Sequence, residues 1–153
     1  MNVIDHFRTA LICSLAWTLA PALATIEVPQ VEVRGITAPI RINLDGQRIP
    51  TIVAEAQLDA FSGQGFLHAR DRFFQMDLMR RQAAGEIAAL VGSFAVDIDK
   101  PRVILRRRAL ATRILSELPE VEQAMLHAYT AGVNAGIESM PSLPVEYATL
   151  GAP

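Results

Sequence analysis

The composition of the chain is that of a folded domain without a dominant charge. Of its 153 residues, 51% are apolar and 20% are charged, and the formal net charge is −2. This mixture argues against intrinsic disorder, and the balanced charge gives no overall attraction to nucleic acid or to an anionic membrane. The only cysteine, Cys13, excludes an internal disulfide and a cysteine-based metal site.

The first 24 residues are predicted to be a secretory signal peptide. A charged segment that includes Arg8 is followed by an apolar run over residues 9–23, which ends on Ala-Leu-Ala at residues 22–24. This order is typical of signal peptides. The alternative, an N-terminal anchor helix, is less favoured because the run is shorter than the ~20 residues that span a bilayer. Cleavage after residue 24 would release residues 25–153 into the periplasm or the medium.

The mature chain is predicted to begin with strands. Residues 30–35 alternate apolar and charged side chains, as a half-buried strand does. Residues 39–44 alternate again, and the turn signal Asp45-Gly46 separates them from a second apolar run over residues 49–54. These two runs predict a β-hairpin.

Three helices are predicted after the hairpin, which makes the fold class α+β. The first covers residues 57–91, is weakened or bent at Gly85, and ends at Gly92. The second covers residues 101–118 and opens with a proline, and the third covers residues 119–139. The proline-rich sequence that follows predicts an open loop, and we expect the fold to continue beyond the end of the chain.

A search for catalytic motifs assigns no catalytic, cofactor-binding or metal-binding residue. His68, Asp71 and Gln75 share a helix face by spacing, but no nucleophile lies within one turn of them. This pattern favours a surface histidine that hydrogen-bonds a neighbouring carboxylate. Thr25 would become the N-terminal residue after export, where its α-amine could act as a base, but nothing around it indicates a site.

Two groups of charges favour structural roles. Asp77 lies three and four residues before Arg80 and Arg81, which predicts ion pairs and, beside Phe73 and Phe74, a part-buried hydrogen-bonded network. A basic cluster lies downstream. We interpret this cluster as a solvated or ion-paired face in preference to a phosphate-binding surface; its members are Lys100, Arg102, Arg106, Arg107, Arg108 and Arg113.

The sequence FSGQGFLHARDRFFQMDLMRR at residues 61–81 resembles the start of penicillin amidases and related acylases. Further similarity is found at residues 85–92, 129–135 and 143–147, so that the resemblance covers residues 39–151. The positions that match the family pattern in its first helix are Gly65, Phe66, Ala69, Asp71, Arg72, Gln75, Met76, Asp77, Arg80 and Arg81. One departure is in the hairpin, where the family has D-x-x-G-[VI]-P and residues 45–50 read DGQRIP.

The resemblance implies the N-terminal, α-chain part of an αββα N-terminal-nucleophile hydrolase. Such enzymes are precursors that are cut into an α and a β chain, and the nucleophile is the first residue of the β chain. The resemblance also places calcium-binding and acyl-pocket residues beyond Pro153, so residues 25–153 are expected to be scaffold and inactive alone. The implied partners are the β chain of the same precursor and an N-acyl amide substrate, either a β-lactam side chain or an N-acyl-homoserine lactone, with no nucleic acid and no membrane after signal removal.

An alternative function remains open from the sequence. The chain could be a non-catalytic truncated product or a stand-alone interaction domain. A reading frame that continues into a β chain would distinguish the amidase from both.

Overall fold

The computed structural model describes residues 30–151, which form a β-hairpin followed by helices. The predicted signal peptide, Cys13 and Thr25 lie outside the described residues. The hairpin strands are β1 (Arg41–Leu44) and β2 (Pro50–Val53). The α-helices are α1 (Gln57–Ala84), α2 (Ala88–Val91), α3 (Val96–Ile104), α4 (Arg107–Glu117), α5 (Glu120–Glu138) and α6 (Val145–Leu150), with a 3₁₀ turn at Ser93–Ala95.

The predicted β-hairpin is confirmed. Its strands pair antiparallel, with Arg41 opposite Val53. The Asp45 carboxylate shapes the turn because it accepts hydrogen bonds from the backbone N–H groups of Gln47 and Ile49, each at 2.8 Å. Arg48 lies where the family pattern has glycine and still adopts a left-handed conformation, with φ of 64°. This conformation costs a residue other than glycine ~1–2 kcal/mol.

The predicted strand at residues 30–35 is wrong. The segment has no strand structure and turns at Arg34-Gly35, because no strand of the described chain pairs with it. The next residues are instead anchored to α1 by the buried carboxylate of Asp59. It accepts hydrogen bonds from the Thr37 N–H at 2.9 Å, the Thr37 hydroxyl at 2.7 Å and the Ala38 N–H at 3.1 Å.

The first predicted helix is shorter than its periodicity indicated. Helix α1 ends at Ala84 because Gly85 adopts the left-handed conformation, with φ of 76°, and its N–H bonds the Arg81 carbonyl. A Cβ atom at Gly85 would also lie 2.9 Å from the Asp99 carbonyl oxygen. Glycine at this position therefore terminates the helix and does not merely bend it. Gly92 ends the separate helix α2, as the sequence predicted for the longer helix.

The chain from residue 96 onward differs from the prediction in two places. Pro101 does not open a helix but lies inside α3, and a left-handed Arg106 with φ of 45° separates α3 from α4. The segment predicted as a loop after Met140 contains helix α6, which follows Pro144. The third predicted helix is confirmed as α5, with Pro119 at its N-cap.

The centre of the structure is the close crossing of α1 and α5. At Gly65, a Cβ atom would lie 2.1 Å from the Tyr129 carbonyl oxygen, and at Gly132 it would lie 1.9 Å from the Ser62 carbonyl oxygen. The Ser62 hydroxyl adds a hydrogen bond of 3.0 Å to the Ala128 carbonyl. Because the two backbones touch, only glycine fits at these contacts.

We predict that the isolated chain has helical circular dichroism but no cooperative thermal transition. The hairpin is a two-stranded ribbon, which is marginal in water by itself, and many large apolar side chains are exposed, including Phe94, Ile104 and Val145. Burying such a side chain is worth ~1.5–3 kcal/mol, a large share of the ~5–15 kcal/mol of a typical domain. The measurement is thermal denaturation of the purified monomer. A sharp two-state transition would contradict this prediction.

Candidate functional site

The Asp77 cluster is the best-connected polar group of the described chain. It consists of Asp77, Arg80 and Arg81 from α1 and Tyr147 from α6. The Asp77 side chain accepts hydrogen bonds from Nε of Arg80 at 3.0 Å, from Nε of Arg81 at 2.7 Å and from the Tyr147 hydroxyl at 2.9 Å. The network predicted for Asp77, Arg80 and Arg81 is therefore confirmed.

The electrostatics of the cluster keep Asp77 ionised. Burial alone would raise the pKa of the Asp77 carboxyl, but the hydrogen bonds from Arg81, Arg80 and Tyr147 together hold this pKa below its ordinary value. A carboxylate with a lowered pKa and two arginine partners is a poor proton acceptor. Its geometry is suited to joining helices rather than to general base catalysis.

Tyr147 is the member of the Asp77 cluster that the sequence did not predict. Its ring stacks on Phe73 at a centroid distance of 6.0 Å and meets Phe74 edge-on at 5.4 Å. Burial, followed by the hydrogen bond to Asp77, raises the pKa of Tyr147 to about 12. The tyrosine is 70 residues from Asp77 in the chain, so no helical spacing connects them. The family pattern over residues 143–147 includes this tyrosine, and it was the only sequence signal available.

The predicted partner of His68 is wrong. Its Nδ1 atom lies 3.0 Å from the hydroxyl of Tyr129 on α5, and the two rings meet edge to face at 5.8 Å. Arg72, with non-helical φ of −141° and ψ of 25°, kinks α1 between Asp71 and Gln75. The kink breaks the helical spacing between His68 and Gln75, whereas Asp71 precedes it, and His68 pairs across the α1–α5 crossing instead.

Most serine and threonine hydroxyl groups of the described residues donate structural hydrogen bonds. Those of Thr112, Thr130 and Thr149 donate to carbonyls four residues earlier in their own helices. The Thr37 hydroxyl donates to Asp59, but the hydrogen bonds from Thr37 lower the pKa of this carboxyl, which makes it a weak base. Across residues 30–151 the hydroxyl beside a histidine is the phenol of Tyr129, and no serine or threonine hydroxyl hydrogen-bonds a histidine or lysine, the usual arrangement of an activated nucleophile.

The basic cluster is partly ion-paired, as predicted. Arg108 forms a bidentate ion pair with Glu86, with 2.8 Å between Nε of Arg108 and Oε1 of Glu86. The hydrogen bond from Arg108 lowers the pKa of Glu86. Lys100 pairs with Asp97 at 2.7 Å. The exposed pairs contribute little to stability, but they neutralise part of the positive charge.

Residues 30–151 include two open surface depressions whose linings differ. A cavity of about 600 Å³ has a mainly apolar lining, formed by Gly85, Ala88, Val96, Asp99, Lys100, Val103 and Ile104. A second cavity, of about 420 Å³, lies between the kinked part of α1 and residues 140–146. No group of three or more acidic, histidine or cysteine side chains in this range has the arrangement of a metal centre. None of the described helices is long and apolar enough to cross a membrane.

Comparison with known proteins identifies the family of the chain. The model of the penicillin amidase family matches residues 39–153. The chain therefore belongs to the penicillin amidase family, as the resemblance of its first helix predicted.

Individual relatives are acylases of two kinds. The chain is 39% identical over 142 residues to penicillin acylase 2 proenzyme of Pseudomonas sp. (strain SE83), covering 91% of this chain and 17% of that protein. It is 32% identical to penicillin G acylase of Escherichia coli, covering 75% of this chain and 14% of that protein. It is 31% identical to acyl-homoserine lactone acylase QuiP of Pseudomonas putida, covering 67% of this chain and 12% of that protein. The chain thus spans 17% or less of the length of these relatives.

The fold is also that of an acylase. Thermostable penicillin G acylase from Alcaligenes faecalis superimposes with a TM-score of 0.63 and 28% identity, covering 73% of this chain and 62% of that chain. This similarity confirms the predicted α+β class and its relation to the acylase fold.

Proposed function

We propose that the chain is the N-terminal scaffold part of an exported acylase that hydrolyses the linear amide bond of N-acyl substrates. The observation that carries this proposal is the family match over residues 39–153, which contains both the α1–α5 crossing and the Asp77 cluster. The candidate substrates are β-lactam side-chain amides and N-acyl-homoserine lactones. The sequence of residues 1–24 supports export.

The role proposed for this chain is that of a scaffold. The catalytic residues are supplied by a separate β chain of the same precursor. Support comes from the use of most serine and threonine hydroxyls of residues 30–151 in structural hydrogen bonds and from the lowered pKa of Asp77. In this proposal the β-chain N-terminal residue attacks the amide carbonyl and its own α-amine takes the proton. The hairpin would join the larger sheet that this fold class requires.

A stand-alone interaction domain is less well supported. Helix α4 buries no residue and the hairpin has no further strand beside it in residues 30–151. A domain that functions alone normally covers such surfaces by its own residues.

The proposal is tested in a fusion precursor, in which the complete chain replaces the matching part of the Pseudomonas SE83 penicillin acylase 2 proenzyme. We expect the purified fusion to hydrolyse a penicillin, because a family member should supply an equivalent scaffold. The isolated 153-residue chain at the same concentration should show no hydrolysis of a penicillin or of an N-acyl-homoserine lactone.

Two results would contradict the proposal. One is turnover by the isolated chain, which would place a nucleophile within it. The other is a fusion precursor without penicillin hydrolysis, whether it folds or not, because a scaffold that cannot support a 39% identical relative does not perform the proposed role. As a control, alanine at the first β-chain residue of the fusion should abolish the activity without changing its thermal transition.

A further inference from the structure

One carboxylate oxygen of Asp99 is buried without a hydrogen-bond partner. Asp99 lies on α3 and is only 6% exposed. Its Oδ2 atom accepts a hydrogen bond of 2.7 Å from the backbone N–H of Ala88, the first residue of α2. Its Oδ1 atom forms no hydrogen bond with any described residue. Buried polar atoms without a partner are rare in proteins, and an unpaired charged group is the most costly kind, so Oδ1 calls for a donor from outside residues 30–151.

Asp99 also lines a cavity that is large enough for a small molecule. We call the cavity of about 600 Å³ that Asp99 lines the Asp99 pocket. The side chains of Ala88, Val96, Val103 and Ile104 give it an aliphatic lining. Val103 and Ile104 are 54% and 77% exposed, and exposed side chains change rotamer readily. A molecule that enters the pocket can therefore displace these two side chains to reach the carboxylate.

The electrostatics of the Asp99 pocket favour a cation. Gly85, which ends α1, belongs to the lining, and the C-terminal end of a helix carries partial negative charge. Lys100 also lines the pocket, but its Nζ atom bonds the exposed carboxylate of Asp97 at 2.7 Å. Within residues 30–151 no cation pairs with Asp99. The pocket is therefore suited to a ligand that has a positively charged N–H donor on an apolar body.

We propose that the Asp99 pocket binds a primary alkylammonium ion, a small organic cation with an aliphatic chain. The ammonium group donates a charge-assisted hydrogen bond to Oδ1 of Asp99. The aliphatic chain lies against Val103 and Ile104, which loses less water contact than a polar chain would. Because Oδ2 keeps its bond to the Ala88 N–H, the bound cation stabilises the junction of α2 and α3. This inference makes no use of the amide chemistry in the proposed function.

Other ligand classes fit the pocket less well. A calcium or magnesium ion needs several oxygen ligands, and residues 30–151 offer no group of three or more metal-ligating side chains. An anion would be repelled by the carboxylate of Asp99. An apolar molecule without a donor would leave Oδ1 unpaired. A single ordered water would satisfy Oδ1 without using the aliphatic lining, and the experiment below distinguishes this case.

The test measures hydrogen exchange of α3 in the fusion precursor during a titration with n-hexylammonium chloride. Exchange of α3 reports binding at this pocket and not elsewhere in the fusion. We expect a dissociation constant of about 1 mM, so that about 10 mM ligand slows the exchange about tenfold. n-Butylammonium should bind about tenfold more weakly, because it buries two fewer methylene groups. Hexanoate, which has the same number of carbon atoms and the opposite charge, should not slow the exchange.

Two matched variants test the role of Asp99. Asp99→Asn keeps an oxygen for the Ala88 N–H but removes the charge, and it should weaken hexylammonium binding about tenfold or more. Asp97→Asn removes the same charge from an exposed position on the same helix, and it should leave the binding within about twofold of the unmodified fusion.

Three results would overturn the proposed site. One is an absence of protection by hexylammonium, which would indicate that Oδ1 is satisfied by ordered water only. The second is equal protection by hexanoate, which would show apolar contact without recognition of charge. The third is equal binding by Asp99→Asn and Asp97→Asn. If no soluble fusion forms, the isolated chain is titrated in the same way, and an absence of protection of α3 there overturns the site as well. The proposed function is tested separately by penicillin hydrolysis and is unaffected by these outcomes.

Discussion

Replacement of Gly132 by alanine is expected to prevent the fusion precursor from reaching its active form. The added Cβ would lie 1.9 Å from the Ser62 carbonyl oxygen and 2.9 Å from the Ser62 Cα. Both atoms belong to the backbone of α1, so no side-chain rotation relieves the contact and the two helices must separate. Overpacking of this kind costs ~1–3 kcal/mol and more where the backbone must move. The measurements are the yield of soluble enzyme and the urea midpoint of its unfolding.

The control for this substitution is Gly46→Ala in the hairpin turn. No atom lies within 4 Å of a Cβ at Gly46. The same added methyl group should therefore change the urea midpoint very little, within the ~0.5 kcal/mol typical of surface substitutions. If Gly132→Ala unfolds at the same urea concentration as Gly46→Ala, the close crossing of α1 and α5 is not the centre of this fold.

Replacement of Asp77 by alanine should give the second largest loss of stability. It leaves the buried Tyr147 hydroxyl and the mostly buried Arg81 without their acceptor. Breaking a buried ion pair costs ~3–5 kcal/mol, and we expect the lower end because Arg80 keeps half of its side chain in water. The measurement is again the urea midpoint of the fusion precursor, with Asp97→Ala as a matched control. Asp97 is 87% exposed and, within residues 30–151, its ion pair is with Lys100, so its removal should have a minor effect.

The Asp77 cluster also predicts a dependence of stability on acidity. The pKa of Asp77 is lower in the folded chain than in the unfolded chain, so the unfolded state binds the proton more tightly. Its contribution to stability is therefore complete above the unfolded pKa of ~3.9 and is lost as the pH falls through the folded pKa. Asp77→Ala should remove this part of the acid dependence. An unchanged acid dependence in the variant would contradict the lowered pKa.

Local signals in the sequence were sufficient to predict the elements whose interacting residues are close together in the chain. Asp45 and Gly46 mark a turn whose hydrogen bonds span four residues, and Pro119 marks the start of α5. Arg80 and Arg81 lie within one helical turn of Asp77, so their pairing follows from spacing. In each case the interacting groups are near neighbours in the chain.

Contacts between distant residues explain what the sequence did not predict. Alternation at residues 30–35 satisfies a strand pattern, but a strand also needs a partner, and Asp59 holds the adjoining segment instead. His68 bonds Tyr129, 61 residues away, because the α1–α5 crossing brings them together. Helix α6 contains six residues, and the hydrogen bond from its Tyr147 to Asp77 holds it against α1.

The most direct test of a scaffold role is the turnover of the Asp77→Ala fusion precursor per correctly processed active site. Active-site titration separates the amount of folded enzyme from the rate of each site. If Asp77 and its partners only hold the structure, fewer sites should form, but kcat per titrated site should stay within about threefold of the unmodified fusion. A fall of about 100-fold or more per site is the loss typical of a removed general acid or base. That result would place this chain in the chemistry of the acylase and would contradict its assignment as scaffold.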